Sequence, residues 1–302
     1  MKFKTFLELV EMQAKTASIL PYFMGILFAW YHYEELHLIN LVLFFIAMFL
    51  FNMAVDAIDN YMDYKKASKE HNYREEVNVI GREKIPMPLV ATLIILMVVV
   101  SAGLGLYLVK QTGLPLLYMG LYCYFVGIFY SSGPKPISSM PLGELFSGFT
   151  MGFMIYIISI YVNAYNVMTF DLRTFLIILF ASIPNMFAIA NLMLANNISD
   201  LEEDRTNKRY TLPHYIGKKN ALSLFKWLYI LAFASLIIAV WLGIYPKMML
   251  FTLVAIPLVR KNIKRFLAKQ VKSETFVYAV QNLAAITSLQ VLTFALGIWF
   301  NF

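Results

Sequence analysis

Asn191-Leu-Met-Leu-Ala-Asn196-Asn197-Ile-Ser-Asp200-Leu-Glu-Glu-Asp204-Arg205 is the stretch on which the fold turns. Behind it, from Leu172, runs an apolar segment long enough to cross a bilayer, which takes ~20 mostly apolar residues. Ahead of it come Lys208 and Arg209. Apolar helix, amides, carboxylates and then bases describe a membrane span running out into a cytoplasmic loop. The pattern occurs a second time, in Asn52-Met-Ala-Val-Asp56-Ala-Ile-Asp59-Asn60-Tyr-Met-Asp63-Tyr-Lys65-Lys66. Both stretches carry asparagine on the last turns of a span, then Asp-x3-Asp, then basic residues. Asp59 and Asp200 stand 141 residues apart with four spans between them, which predicts a parallel internal repeat of about four helices.

Outward from these two stretches the chain is apolar almost throughout. Of 302 residues 60% are hydrophobic and 14% charged, against ~45–50% and ~25% in a soluble domain. Mean hydropathy is +0.66. Such a chain is neither a disordered tail, nor a coiled coil, nor a secreted disulfide scaffold. Cys123 is the single cysteine, so an internal disulfide and a cysteine zinc cluster are both excluded. His32, His37, His71 and His214 lack ligand-like spacing. Nine spans are expected, at 15–32, 37–57, 88–110, 113–131, 145–165, 172–196, 221–243, 244–258 and 277–300, the eighth hinged at Tyr245-Pro246. The first carries Pro21 and Gly25 and no small-residue cleavage site, unlike a signal peptide.

Basic residues collect on the cytoplasmic side of a membrane protein. With nine spans, 22 of the 25 Lys and Arg residues fall on the side of the N-terminus, leaving Lys110, Arg173 and Lys247 on the other. The N-terminus and the long loops are therefore expected in the cytoplasm, and the C-terminus outside. The net charge of +7 needs no nucleic acid; it reads as contact with anionic headgroups of the lipid bilayer or with an anionic substrate.

The acidic spacing has a chemical consequence. On a continuing helix, residues i and i+4 share a face. Asp59 and Asp63 then point together, with Asp56 beside them, and so do Asp200 and Asp204. Like charges so placed are relieved by protonation, by pairing with the nearby Lys and Arg, or by a cation. Oxygen ligands without His or Cys favour Mg²⁺, which is held by one or two carboxylates together with substrate phosphates. Two such clusters facing one cavity would suit a diphosphate bridged by Mg²⁺. Glu202 and Glu203 fall off the shared face and read as solvated. Acids at the midplane would instead mark an ion-coupled transporter, but these sit at the cytoplasmic ends of their spans.

The chain resembles the UbiA superfamily of intramembrane aromatic prenyltransferases. The residues that carry the resemblance are Asn60-Tyr-Met-Asp63-Tyr-Lys-Lys66, Asn196-Asn197-Ile-Ser-Asp200-Leu-Glu-Glu-Asp204-Arg205 with Lys208-Arg209-Tyr-Thr-Leu, and Tyr130-Ser-Ser-Gly133-Pro134-Lys135-Pro136 followed by Leu142-Gly143-Glu144. They are most similar to the menaquinone-pathway branch. Two departures stand in the first motif: Val55 replaces an asparagine, and Asp59-Asn60 reverses the usual Asn-Asp order.

The resemblance implies an all-α membrane protein with nine transmembrane helices around a central cavity under cytoplasmic cap loops, forming a single domain over 1–302. It implies transfer of a polyprenyl group from polyprenyl diphosphate to 1,4-dihydroxy-2-naphthoate with loss of the carboxylate, in a bacterial-type plasma membrane. Mg²⁺ would be held by Asp56, Asp59, Asp63, Asp200 and Asp204, of which the last four are the catalytic carboxylates. Asn52 and Asn197 would hold waters or bridge to the diphosphate. Lys15, Arg82, Lys135, Arg205 and Lys208 would donate to its oxygens, and Tyr130 matches a tyrosine of the family. Loops 63–86 and 198–220 are the natural lids, Tyr73 among the apolar residues of the first. Glu144, at a helix N-terminus, reads as structural first. A 4-hydroxybenzoate-like acceptor is the alternative within the family, and an ion-coupled transporter the alternative outside it.

Overall fold

The structure is a computed structural model that describes residues 1–66 and 76–302. In chain order its helices are α1 (Phe3–Leu9), α2 (Thr16–Tyr33), α3 (Leu38–Lys66), α4 (Val79–Arg82), α5 (Met87–Thr112), α6 (Leu114–Ser131), α7 (Gly143–Ser147), α8 (Ile155–Ala164), α9 (Leu172–Ser199), α10 (Leu201–Thr206), α11 (Leu212–Ile216), α12 (Lys218–Trp241), α13 (Ile256–Ala268) and α14 (Lys272–Phe300). No strand occurs among the described residues. The all-α membrane architecture expected from the sequence is present.

Among the described residues seven stretches are long and apolar enough to cross a membrane: α3, α5, α6, Gly143–Ala164, α9, α12 and α14. They match the second to seventh and the ninth expected spans. The other two differ. The first forms as the helix α2, but Pro21, Tyr22, Tyr31, His32 and Tyr33 make it less apolar than the seven. The eighth is a 3₁₀ stretch, Lys247–Ala255, that runs into α13. That helix buries Val259, Ile263 and Phe266 and exposes Arg260, Lys261, Lys264 and Arg265. The apolar run of 244–258 is thus divided between the 3₁₀ stretch and the first residues of α13, and the basic face of α13 begins where that run stops.

The chain forms two compact units, Met1–Thr16 with Leu38–Pro136, and Ala17–His37 with Ile137–Phe302. In the first unit α3 packs along α5. Met53, Ala54 and Ala57 meet Val90 and Met97, and Leu9, Val79, Ile80 and Ile85 close the end of this core. The Ser101 hydroxyl donates to the Ala47 carbonyl at 2.7 Å and lies 2.6 Å from the Tyr124 hydroxyl, tying α5 to α3 and α6. Lipid-facing positions of α5 and α6, such as Ile95, Val99, Leu121 and Phe125, are exposed.

In the second unit Leu194, Ala195 and Ile198 of α9 pack with Phe225 and Tyr229 of α12, Val259, Ile263 and Phe266 of α13, and Ala279 and Ile286 of α14. Between α7 and α8 a π-helical stretch, Gly148–Met154, lies against α9. A Cβ on Gly152 would stand 2.6 Å from Met186 Cα and 2.7 Å from Met186 N, so only glycine admits this approach. Small residues at helix contacts let membrane helices pack backbone to backbone.

Candidate active site

In the first unit the acidic stretch is helical throughout. No Pro or Gly interrupts α3, and Lys65 and Lys66 sit in its last turn, where cations complement the helix dipole. Asp56, Asp59 and Asp63 therefore do share a face, as their spacing requires. All three are half-buried. Lys15, almost fully buried at the end of the turn Met12–Lys15, donates to the Asn52 carbonyl at 3.3 Å and pairs with the Asp56 carboxylate. Asn60 has a structural task. Its Nδ2 donates to the Leu9 carbonyl at 3.2 Å, and its own carbonyl accepts from Asn78 at 3.0 Å.

The Gly-Pro turn belongs to the same unit. Gly133 has φ +88°, a region open to glycine at little cost. Tyr130 is half-buried just before it, and Lys135 is exposed within it. Lys66 donates to the Ser131 carbonyl at 3.2 Å and so ties the end of the acidic helix to the start of this turn. Arg82 pairs with Glu8 and, at 3.7 Å, with Glu83. Its guanidinium is thus engaged by α1. Tyr73, expected on the first lid, lies outside the described residues.

In the second unit the helix breaks at the acidic motif instead of continuing. Asp200 is the last cap of α9 and the first of α10, with φ −91° and ψ 5°. Its amide still donates to the Asn196 carbonyl at 3.0 Å, and the Asp204 amide donates to the Asp200 carbonyl at 2.7 Å. One-turn spacing survives the break. Asp200 pairs with Lys272 at 2.5 Å. Asp204 is buried, 3.3 Å from the Arg209 guanidinium, and accepts from the Thr211 hydroxyl at 3.3 Å. Burial pushes the Asp204 carboxyl above its ordinary value, the Arg209 guanidinium pulls it back, and neighbouring Asp200 raises it further.

The segment after α10 folds back over the 137–139 turn. The Arg209 guanidinium donates to the Ser138 carbonyl at 3.5 Å and the Tyr210 amide to the Ser139 carbonyl at 3.1 Å. Arg205 pairs with the exposed Glu202 at 3.3 Å, and Lys208 is exposed with φ +57°. Glu203 is exposed as well. Among the described residues the bases that touch the second acidic pair are Arg209 and Lys272. Arg209 stands inside the motif, whereas Lys272 comes from the start of α14 and has no local signal in the sequence.

Asn197, also buried, donates from Nδ2 to Glu144 Oε1 at 2.8 Å. Glu144 is buried at the start of α7, and its Oε2 has no hydrogen-bond partner among the described residues.

The donors suit Mg²⁺ by chemistry. They are hard oxygens, without His or Cys among them. Among the described residues no three His, Cys, Asp or Glu side chains stand close enough to hold a metal by themselves.

A family model described as the UbiA prenyltransferase family matches residues 18–299. The 1,4-dihydroxy-2-naphthoate octaprenyltransferase of Bacillus subtilis (strain 168) is 25% identical over 273 residues, 89% of this chain and 84% of the relative. A UbiA homolog from Archaeoglobus fulgidus, solved bound to GPP and Mg²⁺, superposes with a TM-score of 0.68 at 14% identity, covering 97% of this chain and 99% of that one. An apo UbiA homolog from Aeropyrum pernix K1 gives a TM-score of 0.65 at 15% identity, over 95% and 97%.

Proposed function

The chain belongs to the UbiA prenyltransferase family, and from that premise we propose that it transfers a polyprenyl group from polyprenyl diphosphate to 1,4-dihydroxy-2-naphthoate. It is a multi-pass membrane protein and an aromatic prenyltransferase. The donor's allylic C–O bond breaks, the ring carbon that bears the carboxylate forms the new C–C bond, and that carboxylate leaves as CO₂ with the ring's aromaticity restored. Bound Mg²⁺ supplies neutralisation of the departing diphosphate.

The observation that carries this reading is the second acidic pair. Asp204 is buried on the short helix that follows the membrane helix α9, backed by Arg209 and Thr211, with Asp200 one turn before it. A buried carboxylate kept this costly is commonly functional. In this reading Asp59, Asp63, Asp200 and Asp204, with Asp56, hold Mg²⁺. Asn52 and Asn197 carry waters or meet the diphosphate. Lys15, Arg82, Lys135, Arg205 and Lys208 donate to its oxygens, and Tyr130 lies beside the acceptor or donor. Lys15 would also orient Asp56, and Arg209 would hold Asp204 in place. The naphthoate is favoured by the name of the Bacillus subtilis relative, which is matched over most of both chains. The excess of bases supports a cytoplasmic N-terminus in a bacterial-type plasma membrane.

The test uses purified protein in nanodiscs with geranylgeranyl diphosphate, and either 1,4-dihydroxy-2-naphthoate or 4-hydroxybenzoate, each with Mg²⁺ or with EDTA. Mass spectrometry should find a prenylated, decarboxylated naphthoquinol that disappears with EDTA. Product with the benzoate alone would overturn the acceptor and keep the chemistry.

A further inference from the structure

We propose that Glu144 is a positioning residue for the second acidic motif: it fixes Asn197 so that the amide oxygen, and not the amide nitrogen, is offered to the cation. The inference rests on the Mg²⁺-assisted prenyl transfer proposed above. Asparagine carries one donor end and one acceptor end, and its two orientations are nearly equal in shape. A carboxylate has only acceptors. Facing Glu144, Asn197 must turn its Nδ2 toward the carboxylate, as the 2.8 Å bond requires. Its Oδ1 is left as a hard oxygen, the kind of ligand that Mg²⁺ takes directly or through water.

Burial makes the constraint strong. Glu144 is 5% exposed and Asn197 2%, so water does not compete for either group. Glu144 comes from the first turn of α7 and Asn197 from the last turns of α9, 53 residues later. The contact joins two spans at the acidic motif. Glu144 Oε2 is buried and has no hydrogen-bond partner among the described residues. Leaving a buried carboxylate oxygen unmatched is costly, and a hydrophobic residue would join the two helices without that cost.

The experiment measures binding of geranyl S-thiolodiphosphate, a donor analogue with an inert leaving group, to the whole protein in nanodiscs by calorimetry, with and without Mg²⁺. Thermal melting is recorded alongside. Glu144→Gln keeps size and shape but offers either an oxygen or a nitrogen to Asn197, so the orientation is lost. We expect Mg²⁺-dependent binding to weaken roughly tenfold, the scale of an outer partner that orients a ligand, with the melting temperature unchanged. Glu144→Gln combined with Asn197→Ala should bind no more weakly than Asn197→Ala alone, since residues that act through one another do not add. Should Glu144→Gln fail to fold, Glu144→Asp, which draws the acceptor back by one methylene, is read the same way. Wild-type binding in the variant, or losses that add in full, overturns the positioning role while the functional reading stands. An analogue that the wild type does not bind with Mg²⁺ overturns both.

Discussion

Asp63 and Asp200 are the residues on which the proposed chemistry depends most directly. Asp63→Ala and Asp200→Ala should each lower turnover roughly 100-fold or more, the scale of losing one group that stabilises developing charge, and mass spectrometry of the naphthoquinol checks it. Arg209 acts on stability too. Arg209→Ala leaves Asp204 buried without its guanidinium. Breaking a buried pair costs ~3–5 kcal/mol, but Arg209 is itself 36% exposed, and solvent screening reduces the loss to about 1–2 kcal/mol. Thermal melting in detergent should fall for Arg209→Ala and fall less for Arg205→Ala, whose partner Glu202 is exposed. The acids themselves were legible in the sequence because their spacing is local. The partner of Asp200 was not: Lys272 lies 72 residues away, and nothing in the local pattern links the two.

Helix packing sets the next level. The π-helical stretch lets Gly148 and Gly152 run against the backbone of α9 near Met186. Gly152→Val places side-chain atoms where backbone already stands, and overpacking of this kind costs about 1–3 kcal/mol. Gly103→Ala on α5 is the matched control, because a Cβ there meets nothing within 4 Å. Melting temperatures should fall for the first and hold for the second. The break between α9 and α10 also belongs to this level. The shared face of Asp200 and Asp204 was expected on a continuing helix; the backbone at Asp200 breaks that helix while keeping the one-turn relation between the carboxylates. A break placed there lets the chain after Thr206 fold back, so that Arg209 and Thr211 reach Asp204.

For the molecule as a whole the prediction concerns topology. In a Cys123→Ser background, single cysteines at Lys208 and at Lys247 report opposite faces of the membrane. A membrane-impermeant maleimide should label Lys247→Cys in intact cells and Lys208→Cys only after permeabilisation. The reverse pattern would invert the orientation drawn from the basic residues, and labelling of both in intact cells would break the expected span count between them. The count is the part of the architecture where composition was least decisive. Length and apolarity predicted nine spans, and among the described residues seven stretches are helices long and apolar enough to cross, because lipid demands ~20 apolar residues whatever the neighbours are. They did not show that 244–268 divides into a 3₁₀ stretch and a basic amphipathic helix, whose buried stripe is defined by packing on α14.

By itself the sequence determined that this is a helical membrane protein, which face of each acidic stretch carries its carboxylates, and which family the motifs belong to. Those properties depend on composition and on the helical period, both of which are written along the chain. Tertiary structure decided which base meets which acid, that Glu144 holds Asn197, that Arg82 is taken by Glu8, and that Arg209 rather than Arg205 supports Asp204. Such pairings join residues tens of positions apart, and their register is set only when helices close on one another through contacts such as that of Gly152 with Met186.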